Sequence, residues 1–84
     1  MSVAARLEIP GEVPVIEPVV IENISTHGAR VVAKRACLVH DSVVIIDPLG
    51  GSRLDARVIY CEHRVDGQCA IGLQFREAAA VPLS

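Results

Sequence analysis

Apolar residues recur at every second position through much of this 84-residue chain, which is the period of a pleated strand with one buried face. The alternation is clearest after Arg53. Leu54, Ala56, Val58 and Tyr60 fall on one side while Arg53, Asp55 and Arg57 fall on the other, and this predicts one long strand. Cys69, Ile71, Leu73 and Phe75 alternate in the same way with Gln68, Ala70, Gly72 and Gln74. Between the two segments, Asp66-Gly67 is a favoured two-residue hairpin signal. Leu54, Val58, Tyr60, Ile71, Leu73 and Phe75 are therefore the expected core. Upstream, Ala29, Val31 and Ala33 alternate with Arg30, Val32 and Lys34, which predicts a strand over residues 28–34. Ser42 to Asp47 is an apolar run closed by Pro48. Gly50-Gly51 then supplies a turn into the strand that starts at Arg53, so the two are expected to pair antiparallel.

The remaining segments carry weaker patterns. Residues 3–9 read as a short first strand or an N-terminal arm within residues 1–12, ended by Pro10-Gly11. Val13 to Glu22 is strand-like, but Pro14 and Pro18 each lack a ladder donor, which predicts an edge strand or a bent one. Arg35 to Asp41 has no clear period and reads as a connection across the barrel end. Residues 77–80 predict one helical turn stopped by Pro82, in a C-terminal tail over 77–84. Composition agrees with strands. The chain holds 13 Val, 8 Ile and 10 Ala but one Phe, one Tyr and no Trp, an enrichment in β-branched residues that favours a pleated surface. Closing such a sheet removes its exposed edges, so the expected fold is all-β: one small antiparallel β-barrel of about six strands.

Charge and cysteine content narrow the function classes. Eight Lys and Arg against ten Asp and Glu leave a net charge of −2, which argues against tracking the phosphates of DNA or RNA. No apolar run approaches the roughly 18 residues of a membrane span, and no signal-peptide pattern opens the chain. A cytoplasmic protein without a membrane partner is expected. Three cysteines without a repeated spacing suggest reduced, buried thiols. Cys37-x-x-His40 and Cys61-x-His63 do not match strong zinc spacings, and strand alternation points Cys69 inward but Cys61 and His63 outward, so no metal is expected. Ser25 and His27 lack a group to orient the imidazole, and no enzymatic activity is expected.

The hexapeptide Asn23-Ile24-Ser25-Thr26-His27-Gly28 is the candidate site, because it interrupts two apolar runs with small polar groups and a glycine. In extended backbone Asn23 and Ser25 project from one face and can grip a ligand edge. The alternative is a turn in which Asn23 and Ser25 bond their own backbone and Gly28 takes positive φ. Arg30, two residues on, is close enough to offer a phosphate or a guanine two parallel donors. The other arginines read as outer-face residues paired with Asp55, Glu62 or Glu77.

Asn-x-Ser-x-x-Gly, as it stands at residues 23–28, resembles the second signature of PilZ domains, bacterial β-barrels that bind the second messenger cyclic di-GMP. Ala29-Arg30-Val31-Val32 and Ile71-Gly72-Leu73-Gln74-Phe75 are similar to that family's strand after the signature and its closing strand. The likeness spans roughly residues 13–76. It implies a non-enzymatic receptor or adaptor in which Asn23, Ser25 and Gly28, with Arg30 and Arg6, hold the nucleotide. It further implies that an arm folds over the ligand and so exposes or hides a surface read by a partner. The departure lies upstream. Nucleotide-binding members carry an Arg-x-x-x-Arg clamp, whereas here only Arg6 precedes the signature, with Ser2 and Pro10 at the completing positions. Weak cyclic di-GMP binding is one expectation. A degenerate module working through a protein partner or as a homo-oligomer is the alternative, and an unrelated structural barrel is a third.

Overall fold

The computed structural model describes residues 3–35, 37–46 and 52–76. These form six strands and no helix: β1 (Val3–Ile9), β2 (Val15–Ile24), β3 (Gly28–Ala33), β4 (Ser42–Ile46), β5 (Arg53–His63) and β6 (Cys69–Phe75). All pairings are antiparallel, and the strands close into a barrel in the order β1-β2-β3-β6-β5-β4. The expected turn at Gly50-Gly51 and the helical turn over 77–80 lie outside the described residues. No helix of the described residues is long and apolar enough to cross a membrane.

Closure rests on β1. It pairs β2 from Val3 opposite Ile21 to Ile9 opposite Val15, and on its other edge pairs β4 from Arg6 opposite Ile46 to Glu8 opposite Val44. Residues 3–9 are thus a stave of the barrel and not a loose arm. Their alternation drives Ala5 and Leu7 inward, and Leu7 is fully buried. β2 has a neighbour on each side, so the expected edge position is not what the two prolines mark. Pro14 precedes the strand. Pro18 lies opposite Arg6 but short of the β3 ladder, which starts at Val20 opposite Val32, so on that side no strand needs its missing donor. The expected irregularity sits further on, at a break in register between Ile21 and Asn23 that makes Glu22 an extra residue.

The core holds Val58, Ile71, Leu73 and Phe75 as the alternation predicts, with Leu54 half-buried against it. Leu7 on β1, Val31 on β3, and Val43 and Ile45 on β4 complete it from the other staves. Tyr60 is the correction. The β5–β6 register slips between Val58 and Tyr60, so Val58 stands opposite Leu73 but Tyr60 opposite Gly72 and Cys61 opposite Ile71. One extra residue, Ile59, reverses the alternation: Tyr60 moves to the outer face and Cys61, expected outside, packs against the core.

One end of the barrel is tied by local chemistry. The 64–68 hairpin is longer than the two-residue turn expected. Gly67, at φ 85°, donates to the Arg64 carbonyl at 3.1 Å, and Arg64 donates to the Gln68 carbonyl at 2.7 Å, which makes a three-residue loop with glycine in the left-handed position. The connection from β3 to β4 crosses an end of the barrel as expected. Cys37 is buried in the core there, and His40 N–H donates to the Val58 carbonyl at 2.7 Å.

Because Leu7 is as deeply buried as any residue of β5 or β6, Leu7→Ala should cost about 2 to 5 kcal/mol in urea denaturation. An unmoved midpoint would mean that residues 3–9 are not part of the cooperative unit.

Candidate functional site

Register brings four residues of four strands into one row on the outer face: Asn23 on β2 is opposite Arg30 on β3, which is opposite Gly72 on β6, which is opposite Tyr60 on β5. Both bulges are needed for this row. Around it opens a concavity of about 380 Å³ that brings Asn23, Ser25, Gly28 and Arg30 together with Ile59, Tyr60 and Gly72. Four of the five residues singled out in sequence therefore share one surface. Arg6 does not. It stands on β1 opposite Pro18, five residues from Asn23 along β2, or about 17 Å at ~3.4 Å per residue.

The β2–β3 loop is held by its own hydrogen bonds. Ser25 N–H donates to the Gly28 carbonyl at 2.8 Å, while Ser25 Oγ accepts from His27 N–H at 3.3 Å and donates to the Gly28 carbonyl at 3.4 Å. This is the self-bonded turn for serine. The His27 carbonyl accepts from Phe75 N–H at 2.8 Å, so the loop is also pinned to β6. Asn23 is exposed. Gly28 does not take the positive φ that the turn reading requires; its small size serves a close approach instead, since a Cβ built there would run into the Leu73 carbonyl oxygen on β6.

Arg30 is positioned by two side chains, Glu22 and Tyr60, that the sequence pattern does not reveal. Its Nε donates to Glu22 Oε1 at 3.2 Å, its Nη1 donates to the Tyr60 hydroxyl at 3.1 Å, and its guanidinium carbon lies 5.9 Å from the Tyr60 ring centre. The Tyr60 ring can lie there because Gly72 opposite has no side chain; a Cβ at Gly72 would overlap the ring. An aromatic residue paired with a glycine across two strands is the signal that marks this, and it is visible only once the register is known.

Glu22 also accepts from Arg64 Nη1 at 3.1 Å, so one carboxylate bridges two guanidiniums. The Arg64 hydrogen bond, with Arg30 adding to it, holds the Glu22 carboxyl below its ordinary value of 4.5, against a smaller opposing effect of burial. Tyr60 first and Glu22 second push the Arg30 pKa up. Among the described residues the ion pairs differ from those expected at Asp55 and Glu62, and Glu77 lies outside the described residues. Glu22 takes Arg30 and Arg64, and Glu8 takes Arg53.

Cys69 Sγ lies 3.4 Å from His63 Nδ1, and burial pushes the Cys37 and Cys69 thiols up. Among the described residues no group of three or more His, Cys, Asp and Glu side chains gathers to hold a metal ion. Compared with known proteins, the chain matches no family model, and no curated protein matches it.

The two glycines should respond differently to alanine. Gly28→Ala meets a backbone oxygen and should cost about 1 to 3 kcal/mol in urea denaturation. Gly72→Ala meets a side chain that can swing away, so it should cost less while shifting the Tyr60 ring resonances.

Glu22 gives a pH test. Its folded pKa lies below the unfolded one, so its carboxylate adds stability above the ordinary value and loses that contribution as pH falls through the folded value. Glu22→Gln should flatten the acid side of a stability profile measured over about pH 3 to 7.

Proposed function

We propose that this chain is a PilZ-like receptor or adaptor domain that binds cyclic di-GMP on the outer face of its barrel and performs no catalysis. The observation that supports this reading is the gathering of Asn23, Ser25, Gly28 and Arg30 over one concavity, with Tyr60 as its aromatic wall. Each group has work that suits a guanine nucleotide. The exposed Asn23 amide offers a donor and an acceptor to a base edge. Gly28 keeps the loop tight against β6, and Tyr60 presents a ring face near the Arg30 cation.

Arg30 sets the affinity. Its Nε and one Nη1 hydrogen already serve Glu22 and Tyr60, so a phosphate or guanine meets only the remaining donors of a cation that is already paired. With Arg6 as the single arginine among residues 1–22, binding by these 84 residues should be weak, at a Kd of about 10 μM or looser, because each charged hydrogen bond forgone removes about 1.5 to 3 kcal/mol. The same engagement of Arg30 favours a second reading. A site whose cation is internally neutralised suits a module that works by protein contact, and Ile59 stands 48% exposed at the rim to make one.

Calorimetric titration of cyclic di-GMP decides between them. Val3 enters β1 opposite Ile21, beside the bulge at Glu22, so an Arg-x-x-x-Arg arm fused ahead of Val3 starts near the concavity. That fusion should tighten binding at least tenfold, about 1.4 kcal/mol, and Asn23→Ala/Ser25→Ala should abolish the gain. Equal recovery with and without Asn23 and Ser25, or none in either, would reject nucleotide recognition by the loop and favour the protein-contact module.

A further inference from the structure

A second concavity, of about 500 Å³, opens where β4, β5 and β6 run side by side, lined by His40, Ser42, Arg57, Gln74 and Arg76 above Phe75. It shares no residue with the concavity around Asn23 and Arg30. The register accounts for it. Ser42 is opposite Arg57 and Arg57 is opposite Gln74, so polar residues of three neighbouring strands stand in one row. Arg57 lies between the buried residues Ala56 and Val58, which turns its side chain outward. Arg76 comes directly after β6. Its N–H donates to the Asp55 carbonyl at 3.1 Å and its Nη2 to Ser42 Oγ at 2.8 Å, which carries the guanidinium across to β4.

His40 closes the rim in a backbone conformation that side-chain-bearing residues seldom adopt. Its φ is 79°, and its N–H is anchored to the Val58 carbonyl. Of the neighbouring carboxylates, Asp41 is turned back into its own turn, where Oδ2 accepts from Leu38 N–H at 3.3 Å, and Asp55, on the outer face of β5 beside Arg57, does not line the recess. Among the described residues, none that lines the concavity is acidic. Arg30, Arg53 and Arg64 meet carboxylates on Glu22 and Glu8, whereas Arg57 and Arg76 meet none among the described residues. In a chain of net charge −2, this is a local excess of positive charge in a recess.

Two guanidinium forks, an imidazole, a hydroxyl and a carboxamide converge on a space large enough for a tetrahedral oxyanion. Planar forks bind phosphate oxygens in pairs, and the neutral donors can take those that remain. We propose that this recess binds the phosphate or pyrophosphate group of a small soluble molecule. The site is independent of the nucleotide site proposed around Asn23 and Arg30.

The test is a titration of the folded chain with inorganic pyrophosphate, followed by amide NMR at constant ionic strength with chloride as the reference anion. Saturable shifts are expected at Ser42, Arg57, Gln74 and Arg76, with millimolar affinity. Arg57→Gln and Arg76→Gln should each weaken binding about tenfold or more. Arg57→Lys keeps the charge but not the fork and should fall between. Arg53→Gln, which removes a cation outside the recess, should change the affinity by less than about twofold. Shifts that do not saturate, or equal weakening by Arg53→Gln and Arg57→Gln, would show screening of general charge and overturn the proposal.

Discussion

The pairing of β1 with both β2 and β4 is the constraint on which the rest of this molecule depends. A Val- and Ile-rich sheet left open would present a bare edge to other chains, and closure gives every stave a neighbour on both sides. Closure also decides where function can lie. The interior is filled by Leu7, Val31, Val58 and Ile71 and holds no buried polar side chain among the described residues, so it offers a ligand neither room nor hydrogen bonds. Recognition is left to the outer face and the barrel ends.

Two extra residues make that outer face more than a solvated surface. Glu22 interrupts the β2–β3 ladder and Ile59 the β5–β6 ladder, and each displaces the later residues of its strand by one position. The shift at Ile59 takes the chain's single tyrosine out of the core and sets it over Gly72. The bulged Glu22 supplies the carboxylate that ties Arg30 to Arg64. The candidate site is thus a product of irregularity in a regular barrel.

The same irregularity separates the parts of the molecule that are legible in the residues alone from those that are not. Period-two alternation is a local signal, so β3, β5 and β6 were legible, as was the class of the fold. Asn23, Ser25, Gly28 and Arg30 were legible as a group because eight consecutive positions contain them. A bulge adds one residue without breaking the hydrophobic count, so Tyr60 and Cys61 fell on the wrong faces. Residues 3–9 carried an ambiguous pattern because their partners on β2 and β4 are distant in sequence. Gly28 was recognisable as a necessary glycine, but the reason lies in the Leu73 carbonyl of a strand more than forty residues away.

The position of Tyr60 has an optical consequence. The chain has one tyrosine and no tryptophan, so emission excited beyond the phenylalanine band comes from a ring at the wall of the candidate site. That ring's hydroxyl accepts a hydrogen bond from Arg30, and its face lies on the backbone of Gly72. Whatever settles against Arg30 therefore alters the surroundings of that ring, and the domain carries its own reporter without a label.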